Sequence, residues 1–317
     1  MGTVRIVKYR GDKICVFKCV SKAYILKHND QRHIQSEKEV LQAVAKCSFC
    51  VKLFGTFQDR HNLYFALEYA CGGELFHRLG RKKYFRPDTA KFYVSEVFVA
   101  LEHVQSLGFV YRDLKPENII LDEEGHCKLV DFGFSTSTVG SRGGMLHTLC
   151  GTPAYLAPEI LDGKFTNGYT EIVDWWSFGI LVYELLSGKT PFSKGNRESP
   201  YEIFIRILQN RIWFPIGFDS VAKDIVSRLT LPQISKRLCK SEEIKIHPYF
   251  TMPWAAVANR RLVAPFVPNI KELGDSHYFS NYGSSGVGDK PNLLLGDPNT
   301  EPAAPDTADA KGDFSGF

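Results

Sequence analysis

The sequence lacks three features that would assign it to a specialised class of protein. No apolar run approaches the roughly 18 residues that a helix needs to cross a bilayer, so we expect no membrane span. No long block of Lys or Arg occurs and the formal net charge is only +4, so nucleic acid is not expected as a partner. A Gly-x-x-x-x-Gly-Lys-Ser/Thr phosphate loop is also missing, which argues against nucleotide-binding modules of that type.

Cysteine is present, but without the pattern of a disulfide framework or a zinc site. The eight cysteines and an N-terminus unlike a signal peptide predict reduced thiols in the cytoplasm, with the nucleus as a second compartment. Cys47 and Cys50 have the spacing of a metal-binding pair, but the sequence offers no second Cys/His pair to complete a zinc site. The 317 residues, 44% of them hydrophobic, are typical of a globular protein with one large or two modest lobes.

Two short motifs contain the residue types that phosphoryl transfer needs. Residues 111–118 read Tyr-Arg-Asp-Leu-Lys-Pro-Glu-Asn, and residues 131–133 read Asp-Phe-Gly. The reaction needs a carboxylate to orient a hydroxyl, a cation on the transferred phosphate, and a carboxylate and an amide to hold magnesium. The residues that match these four roles, in that order, are Asp113, Lys115, Asp131 and Asn118.

An isolated Asp-Phe-Gly is equally typical of a surface turn, so the surroundings of the two motifs matter. Both follow apolar runs typical of strands, at residues 109–110 and 127–130, and loops at strand ends commonly carry functional sites. We therefore expect ATP and Mg²⁺ as cofactors, with Asn118 and Asp131 as the metal ligands.

Periodicity predicts an α+β chain with a small β-rich lobe first. Apolar and polar residues alternate over residues 4–20, which predicts a hairpin with Lys18 on its second strand. A helix over residues 31–46 then carries Glu37 towards Lys18. Two further strands are expected around residues 51–56 and 62–68.

The remaining chain predicts a hinge, a large lobe and a tail. With the small lobe at 1–68, the hinge takes residues 69–73 and a mainly helical lobe takes 74–250, so the ligand is expected in the cleft between the lobes. Residues 251–317 form a C-terminal tail, in which 283–312 is rich in polar residues and proline and is predicted to be disordered.

Taken together, the motifs resemble those of the AGC group of Ser/Thr protein kinases, in the branch of the cyclic-AMP-dependent kinases. The resemblance covers nearly the whole chain and includes residues 16–18, 149–159 and 174–176 and Arg237. It implies the bilobal protein-kinase fold, with one main helix in the small lobe, and a 1–250 kinase domain. Lys115, two residues after Asp113, implies Ser/Thr rather than Tyr acceptors.

The resemblance also implies a set of nucleotide contacts. Lys18 would hold the phosphates and pair with Glu37, adenine would lie between apolar side chains, and a tail segment would cross the cleft. The apolar and hinge positions are equally compatible with simple core packing. The ATP-binding positions so implied are Val4, Lys18, Glu37, Leu67, Glu68, Ala70, Ile120 and Phe279.

Three carboxylates match the positions that bind substrate arginines in this family. Glu74, Glu117 and Glu184 would pair with arginines two and three positions before the acceptor, because carboxylates hold guanidinium groups in a bidentate manner. This implies protein substrates of the type Arg-Arg-x-Ser/Thr, although three glutamates also fit ordinary solvated surface. An apolar pocket for the residue after the acceptor would be lined by Leu149, Pro153 and Leu156.

Regulatory positions follow from the same resemblance. Thr148 matches an activation-loop phosphosite for another kinase, with Arg112 and His33 holding the phosphate. The terminal residues Phe314 and Phe317 match a motif that docks on the small lobe. His147 stands where relatives have Trp, which leaves control by a cyclic-nucleotide-binding regulatory subunit open.

One departure from the family lies at the start of the chain. Residues 2–4 match only the end of the glycine-rich phosphate loop, whose earlier glycines are missing. Our expectation is a chain truncated at this loop, and the alternative is a nucleotide-impaired pseudokinase or scaffold. Retention of Lys18, Asp113, Asn118 and Asp131 favours a working kinase, since a scaffold has no chemical need for all four.

Overall fold

A four-stranded antiparallel sheet forms the small lobe of the computed structural model, which describes residues 2–9, 13–139, 144–161, 168–195, 198–271, 274–279, Phe314 and Phe317. The spatial order is β1-β2-β4-β3. The strands are β1 (Thr3–Tyr9), β2 (Lys13–Ser21), β3 (Leu53–Gln58) and β4 (Asn62–Glu68).

The β1–β2 hairpin has the predicted arrangement. Val4 pairs with Lys18 across the two strands, so Lys18 lies on the second strand. Residues 10–12, between the two strands, lie outside the described residues. Strand β3 begins at Leu53, two positions later than expected, because the Val51 N–H is bonded to the Leu129 carbonyl at 3.0 Å instead.

Two helices follow the hairpin, where one was predicted. The main helix, α2 (Gln31–Ala43), starts as expected and ends in a 3-10 turn at Val44–Lys46. The short helix α1 (Lys22–His28) was missed, since seven residues give too little periodicity. Its boundaries have local causes: the Ser21 hydroxyl caps its start, and Asn29 closes it at φ 56°.

The large lobe is mainly helical and is built around two buried helices, α4 and α6. Phe98 of α4 packs against Trp175 and Phe178 of α6, with ring centroids 5.1 and 6.0 Å apart. The helices in chain order are α3 (Leu75–Lys82), α4 (Pro87–Ser106), α5 (Pro158–Leu161), α6 (Ile172–Ser187), α7 (Pro200–Gln209), α8 (Ser220–Leu229), α9 (Ser241–Lys245) and α10 (Trp254–Ala258).

Short strand pairs position the two motif loops between the lobes. Strand β5 (Phe109–Val110) pairs with β8 (Thr136–Ser137), and β6 (Ile119–Leu121) pairs with β7 (Cys127–Leu129). The loops at 111–118 and 130–135 therefore leave adjacent strand ends and approach each other, as the motif analysis predicted.

Two further predictions concern membrane-spanning helices and the segment 283–312. Within the described residues, no helix combines the length and hydropathy needed to cross a membrane. The segment 283–312, predicted to be disordered, lies outside the described residues.

Candidate active site

A cavity of about 880 Å³ opens between the sheet of the small lobe and the loops of the large lobe. This volume lies within the range of small-molecule and cofactor sites, roughly 300–1,000 Å³. All eight positions assigned to ATP line it, together with Asn118 and Asp131. The structure thus brings together residues that are spread over positions 4 to 279 of the chain.

Lys18 is the centre of an ion cluster at the inner end of this cavity. Its Nζ atom lies 2.5 Å from Glu37 Oε1 and 3.1 Å from Asp131 Oδ1. Burial disfavours the ammonium, but the charges of Glu37 and Asp131 outweigh it and raise the pKa of Lys18. The Lys18 charge in turn lowers the pKa of Asp131, despite burial. A fixed ammonium beside a fixed carboxylate suits phosphate and metal binding.

Gly133 allows the members of this cluster to approach each other. A Cβ atom at this position would lie 3.2 Å from Asp131 Oδ1 and 3.9 Å from Lys18 Nζ. Asp131 itself has a φ angle of 54°, in the left-handed region that non-glycine residues rarely adopt. Any side chain at Gly133 would therefore press on the carboxylate of Asp131.

Asp113 lies in a second cluster, where three donors reach its carboxylate. Asn118 Nδ2 donates to Oδ2 at 2.8 Å, Lys115 Nζ lies 2.9 Å from the same oxygen, and the Thr152 hydroxyl donates to Oδ1 at 2.7 Å. Lys115 also donates to the Thr152 hydroxyl at 2.9 Å. Asp113 and Lys115, predicted from one motif, are thus joined by a residue from a distant loop.

Thr152 has no motif signal of its own as a site residue. It lies in the 149–159 segment that supported the family resemblance, but only the folded chain brings it to Asp113. Gly151 allows this approach, since its φ is 109° and a Cβ atom there would lie 2.6 Å from the Arg112 carbonyl oxygen.

Asp174 on α6 fixes the loop that carries Asp113. Its two carboxylate oxygens accept the backbone N–H groups of Tyr111 at 2.9 Å and Arg112 at 2.8 Å. Arg112 has a φ angle of 69°, so the loop is held in an unfavourable backbone conformation. Burial raises the pKa of Asp174 to about 6, although the two N–H groups favour its charged form. Sequence analysis recognised this position without assigning it a role.

The three glutamates assigned to substrate arginines are electrostatically coupled. Burial and the charge of Glu74 raise the pKa of Glu117. Burial and the charge of Glu117 raise the pKa of Glu184 to about 8, and Glu184 accepts a hydrogen bond from Tyr155. His77 Nδ1 lies 3.2 Å from Glu74 Oε2. The cluster concentrates negative charge beside the catalytic loop.

The other predicted peptide contacts are less closely grouped. Leu156 is buried, whereas Leu149 is 62% exposed and Pro153 begins a 3-10 turn, Pro153–Tyr155. A shared apolar pocket formed by these three residues stays a prediction.

The predicted phosphosite Thr148 is exposed and is linked to Arg112 through one residue. Tyr169 Oη donates to the Thr148 carbonyl at 2.6 Å, and Arg112 donates to Tyr169 Oη at 3.0 Å. His33 is paired with Asp30 at 3.1 Å. Binding of a phosphate on Thr148 by Arg112 and His33 stays a prediction.

The tail touches the hinge and the small lobe. Tyr69 Oη donates to the Asp275 carbonyl at 2.6 Å, and Phe279 lies 6.3 Å from the Tyr69 ring while lining the cavity. Phe317 packs edge-on against Phe65 at 5.0 Å, beneath the Lys38 ammonium. Phe314 lies below Lys22, and its carbonyl accepts from Gln58 at 2.9 Å.

The metal prediction rests on two ligands rather than a cage. Among the described residues, no group of three or more His, Cys, Asp or Glu side chains could hold a metal ion. Mg²⁺ usually keeps several waters and takes one or two protein carboxylates plus substrate phosphates, so two ligands fit it. Asn118 donates to Asp113 only through Nδ2, so its amide oxygen takes no part in those bonds.

Comparison with known proteins identifies the family to which the chain belongs. A family model described as "Protein kinase domain" matches residues 1–250. The chain is 40% identical over 279 residues to the cAMP-dependent protein kinase catalytic subunit of Dictyostelium discoideum, covering 86% of this chain and 41% of that protein. It is 39% identical over 298 residues to the cAMP-dependent protein kinase catalytic subunit PRKX of Mus musculus, covering 92% and 81%.

A further relative is Protein kinase 3 of Dictyostelium discoideum, 41% identical over 285 residues, covering 86% of this chain and 30% of that protein. The chain thus spans less than half the length of these two Dictyostelium relatives. The bilobal fold and the resemblance to cAMP-dependent catalytic subunits are both confirmed: the chain belongs to the protein kinase family.

Proposed function

We propose that this chain is a Ser/Thr protein kinase that transfers the γ-phosphoryl group of ATP to Ser or Thr in arginine-rich protein sequences. The observation that carries this proposal is that Lys18, Asp131 and Asn118 line one cavity, while Asp113 accepts a hydrogen bond from Asn118. These residues supply the cation, metal ligands and carboxylate that the reaction needs.

ATP fits the cavity with adenine near the hinge and phosphates near Lys18. The Glu68 N–H is bonded to the Lys52 carbonyl at 2.9 Å. Adenine would bind to the Glu68 carbonyl and the Ala70 N–H at the hinge. Asn118 and Asp131 would hold Mg²⁺, which supplies charge neutralisation across the phosphates. Lys18 would then exchange part of its contact with Asp131 for phosphate oxygens.

Asp113 is arranged to receive a substrate hydroxyl. A carboxylate offers about four acceptor sites, and Asn118, Lys115 and Thr152 use three of those on Asp113. The remaining site lies on Oδ1, because Asn118 and Lys115 both reach Oδ2. A serine or threonine hydroxyl bonded there is oriented for attack, while Lys115 is placed to stabilise the transferred phosphate.

The coupled glutamates support basic substrates. Burial and the charge of Glu74 raise the pKa of Glu117, and burial and the charge of Glu117 raise the pKa of Glu184. Guanidinium groups of a substrate relieve that repulsion and pair with carboxylates in a bidentate manner. This favours Arg-Arg-x-Ser/Thr sequences.

Regulation would act on exposed Thr148. A phosphate added there by another kinase lies one residue, Tyr169, away from Arg112, and so would influence the loop that carries Asp113. We place this activity in the cytoplasm.

Transfer of phosphate from Mg-ATP to a Leu-Arg-Arg-Ala-Ser-Leu peptide tests this function. We expect activity from the Thr148-phosphorylated chain, loss of at least about a hundredfold in Asp131→Ala, and wild-type activity in Glu242→Gln, which removes an exposed carboxylate on α9. A folded, phosphorylated wild-type chain that binds ATP but transfers nothing would contradict the proposal.

A further inference from the structure

We propose that His77 is a specificity-determining residue, whose protonation weakens the binding of a substrate arginine at Glu74. This inference rests on the proposed function. His77 lies outside the motifs that identified the family. When protonated, it would place a positive charge beside Glu74 within the cluster of three glutamates.

The two side chains lie at the start of α3, where the helix geometry sets them together. Glu74 is the residue before the helix and His77 is three positions later, so they lie on one face. Their Oε2 and Nδ1 atoms are 3.2 Å apart, with 12% and 22% of the side chains exposed. The two facing atoms are buried, so a peptide would reach Glu74 through the exposed remainder of its side chain.

The groups around His77 explain why its charge matters here. Glu74 lies on its own segment. The Pro116–Asn118 turn, which carries Glu117 and is preceded by Lys115, packs against α3. From the tail, Tyr278 packs against Gly73. The Phe76 ring lies 5.7 Å from the imidazole.

The neighbouring cation on α3 is directed elsewhere. Arg78 lies 3.2 Å above the Phe266 ring, on the side of the tail. The His77 ring, in contrast, has its Nδ1 atom 3.2 Å from Glu74 Oε2.

Protonation of His77 makes it a competitor of the substrate. The imidazolium form of His77 neutralises Glu74, whereas the neutral ring leaves the carboxylate charge to the substrate. Arginine keeps its charge in both cases. The Michaelis constant for an arginine peptide should therefore rise on acidification through His77.

Steady-state kinetics of Leu-Arg-Arg-Ala-Ser-Leu at about pH 6 and pH 8 test this role, with His77→Ser, His77→Arg and the exposed control His61→Ser. We expect the pH 6 to pH 8 ratio of KM to be about three- to fivefold larger in wild type than in His77→Ser. His77→Arg carries a permanent charge and should show a raised KM at both pH values. His61→Ser should match wild type.

Two peptides with one arginine replaced, Leu-Ala-Arg-Ala-Ser-Leu and Leu-Arg-Ala-Ala-Ser-Leu, identify which arginine is involved. The effect of His77 should vanish with one of them and persist with the other. ATP and phosphorylated Thr148 also titrate in this range, but they do so equally in all variants. Comparing the pH 6 to pH 8 ratio of KM between variants therefore removes their contribution.

Three outcomes separate the two proposals. Equal KM ratios in wild type and His77→Ser, with normal turnover, would overturn the role of His77 alone. A KM of His77→Arg equal to that of the wild-type chain at pH 8 would also overturn the role of His77. No transfer to any of the three peptides by the wild-type chain would overturn both this inference and the proposed function.

Discussion

At the residue scale, Asp174 is a buried carboxylate whose partners are backbone groups of the catalytic loop. Replacing it by Asn keeps its size but turns an NH₂ group towards one of two N–H donors. We expect a loss of about 1–3 kcal/mol in the free energy of unfolding, and a lower kcat, because Asp113 lies one residue after Arg112. Urea denaturation and single-turnover kinetics measure these effects.

The pH dependence of this loss has a definite sign. Because burial raises the pKa of folded Asp174 to about 6, above the unfolded value of about 3.9, ionisation costs the wild-type protein stability as pH rises between these values. Asn does not titrate. The stability gap between the two proteins should narrow from about pH 4 to pH 6, and a gap that widens would contradict the assignment.

Glu184 gives a second prediction at this scale. Burial and Glu117 raise its pKa to about 8, so it is mainly protonated at pH 7. An arginine peptide favours the carboxylate, so binding should release up to about one proton per peptide. Calorimetry at pH 7 in buffers of different ionisation enthalpy measures this release. Glu184→Gln should reduce the proton release and Glu242→Gln should leave it unchanged, and a buffer-independent enthalpy in wild type would contradict the prediction.

Motif spacing was sufficient to predict several site residues, but not the residues that contact and position them. Lys18, Glu37 and Asp131 meet as expected, because each belongs to a motif whose chemistry requires the others. Thr152 and His77 could not be found in this way, since their partners are chosen by loop approach and by side-chain direction rather than by a repeated pattern. Their roles depend on the folded chain.

At the scale of elements, Phe317 is a contact between the tail, β4 and α2. Phe317→Ala removes the packing on Phe65 and Lys38, and should cost about 1–2 kcal/mol of stability. Activity should fall several-fold, since α2 carries Glu37. Thermal unfolding and the KM for ATP are the measurements.

Phe54→Ala is the matched control for this element. Phe54 lies on β3 and is 53% exposed, so its loss should leave stability within about 0.5 kcal/mol of wild type. Equal destabilisation by the two substitutions would show that the tail contact contributes nothing specific.

Elements with a clear period were predictable, and short ones were not. Strand β4 and the start of α2 fall at the predicted residues, because the alternation and the helical face are long enough to read. Helix α1 depends on the Ser21 cap and the left-handed Asn29, local features that do not produce a hydrophobic period.

At the scale of the whole molecule, the Glu159–Arg237 pair ties α5 to the loop before α9 in the large lobe. Both side chains are at most 3% exposed, and their two hydrogen bonds measure 2.5 and 2.8 Å. Arg237→Ala leaves a buried carboxylate alone, and should cost about 3–5 kcal/mol of global stability. Calorimetric unfolding measures the loss.

Arg228→Ala provides the comparison for this prediction. Its ion pair with Asp224 is about half exposed on both sides, so the loss should stay below about 1 kcal/mol. The double change Glu159→Gln with Arg237→Met should recover part of the loss. A small effect of Arg237→Ala would contradict the structural role of the pair.

The contacts of Phe314 and Phe317 with the small lobe are made by a segment that stays covalently attached through residues 280–313. Attachment converts docking into an intramolecular event, which raises the local concentration of the segment at the surface that it contacts. Weak contacts are then occupied most of the time. A single proteolytic cut between residues 280 and 313 would remove that advantage while leaving the contacts of Phe314 and Phe317 chemically intact, and the separated peptide would have to be added in excess to replace it.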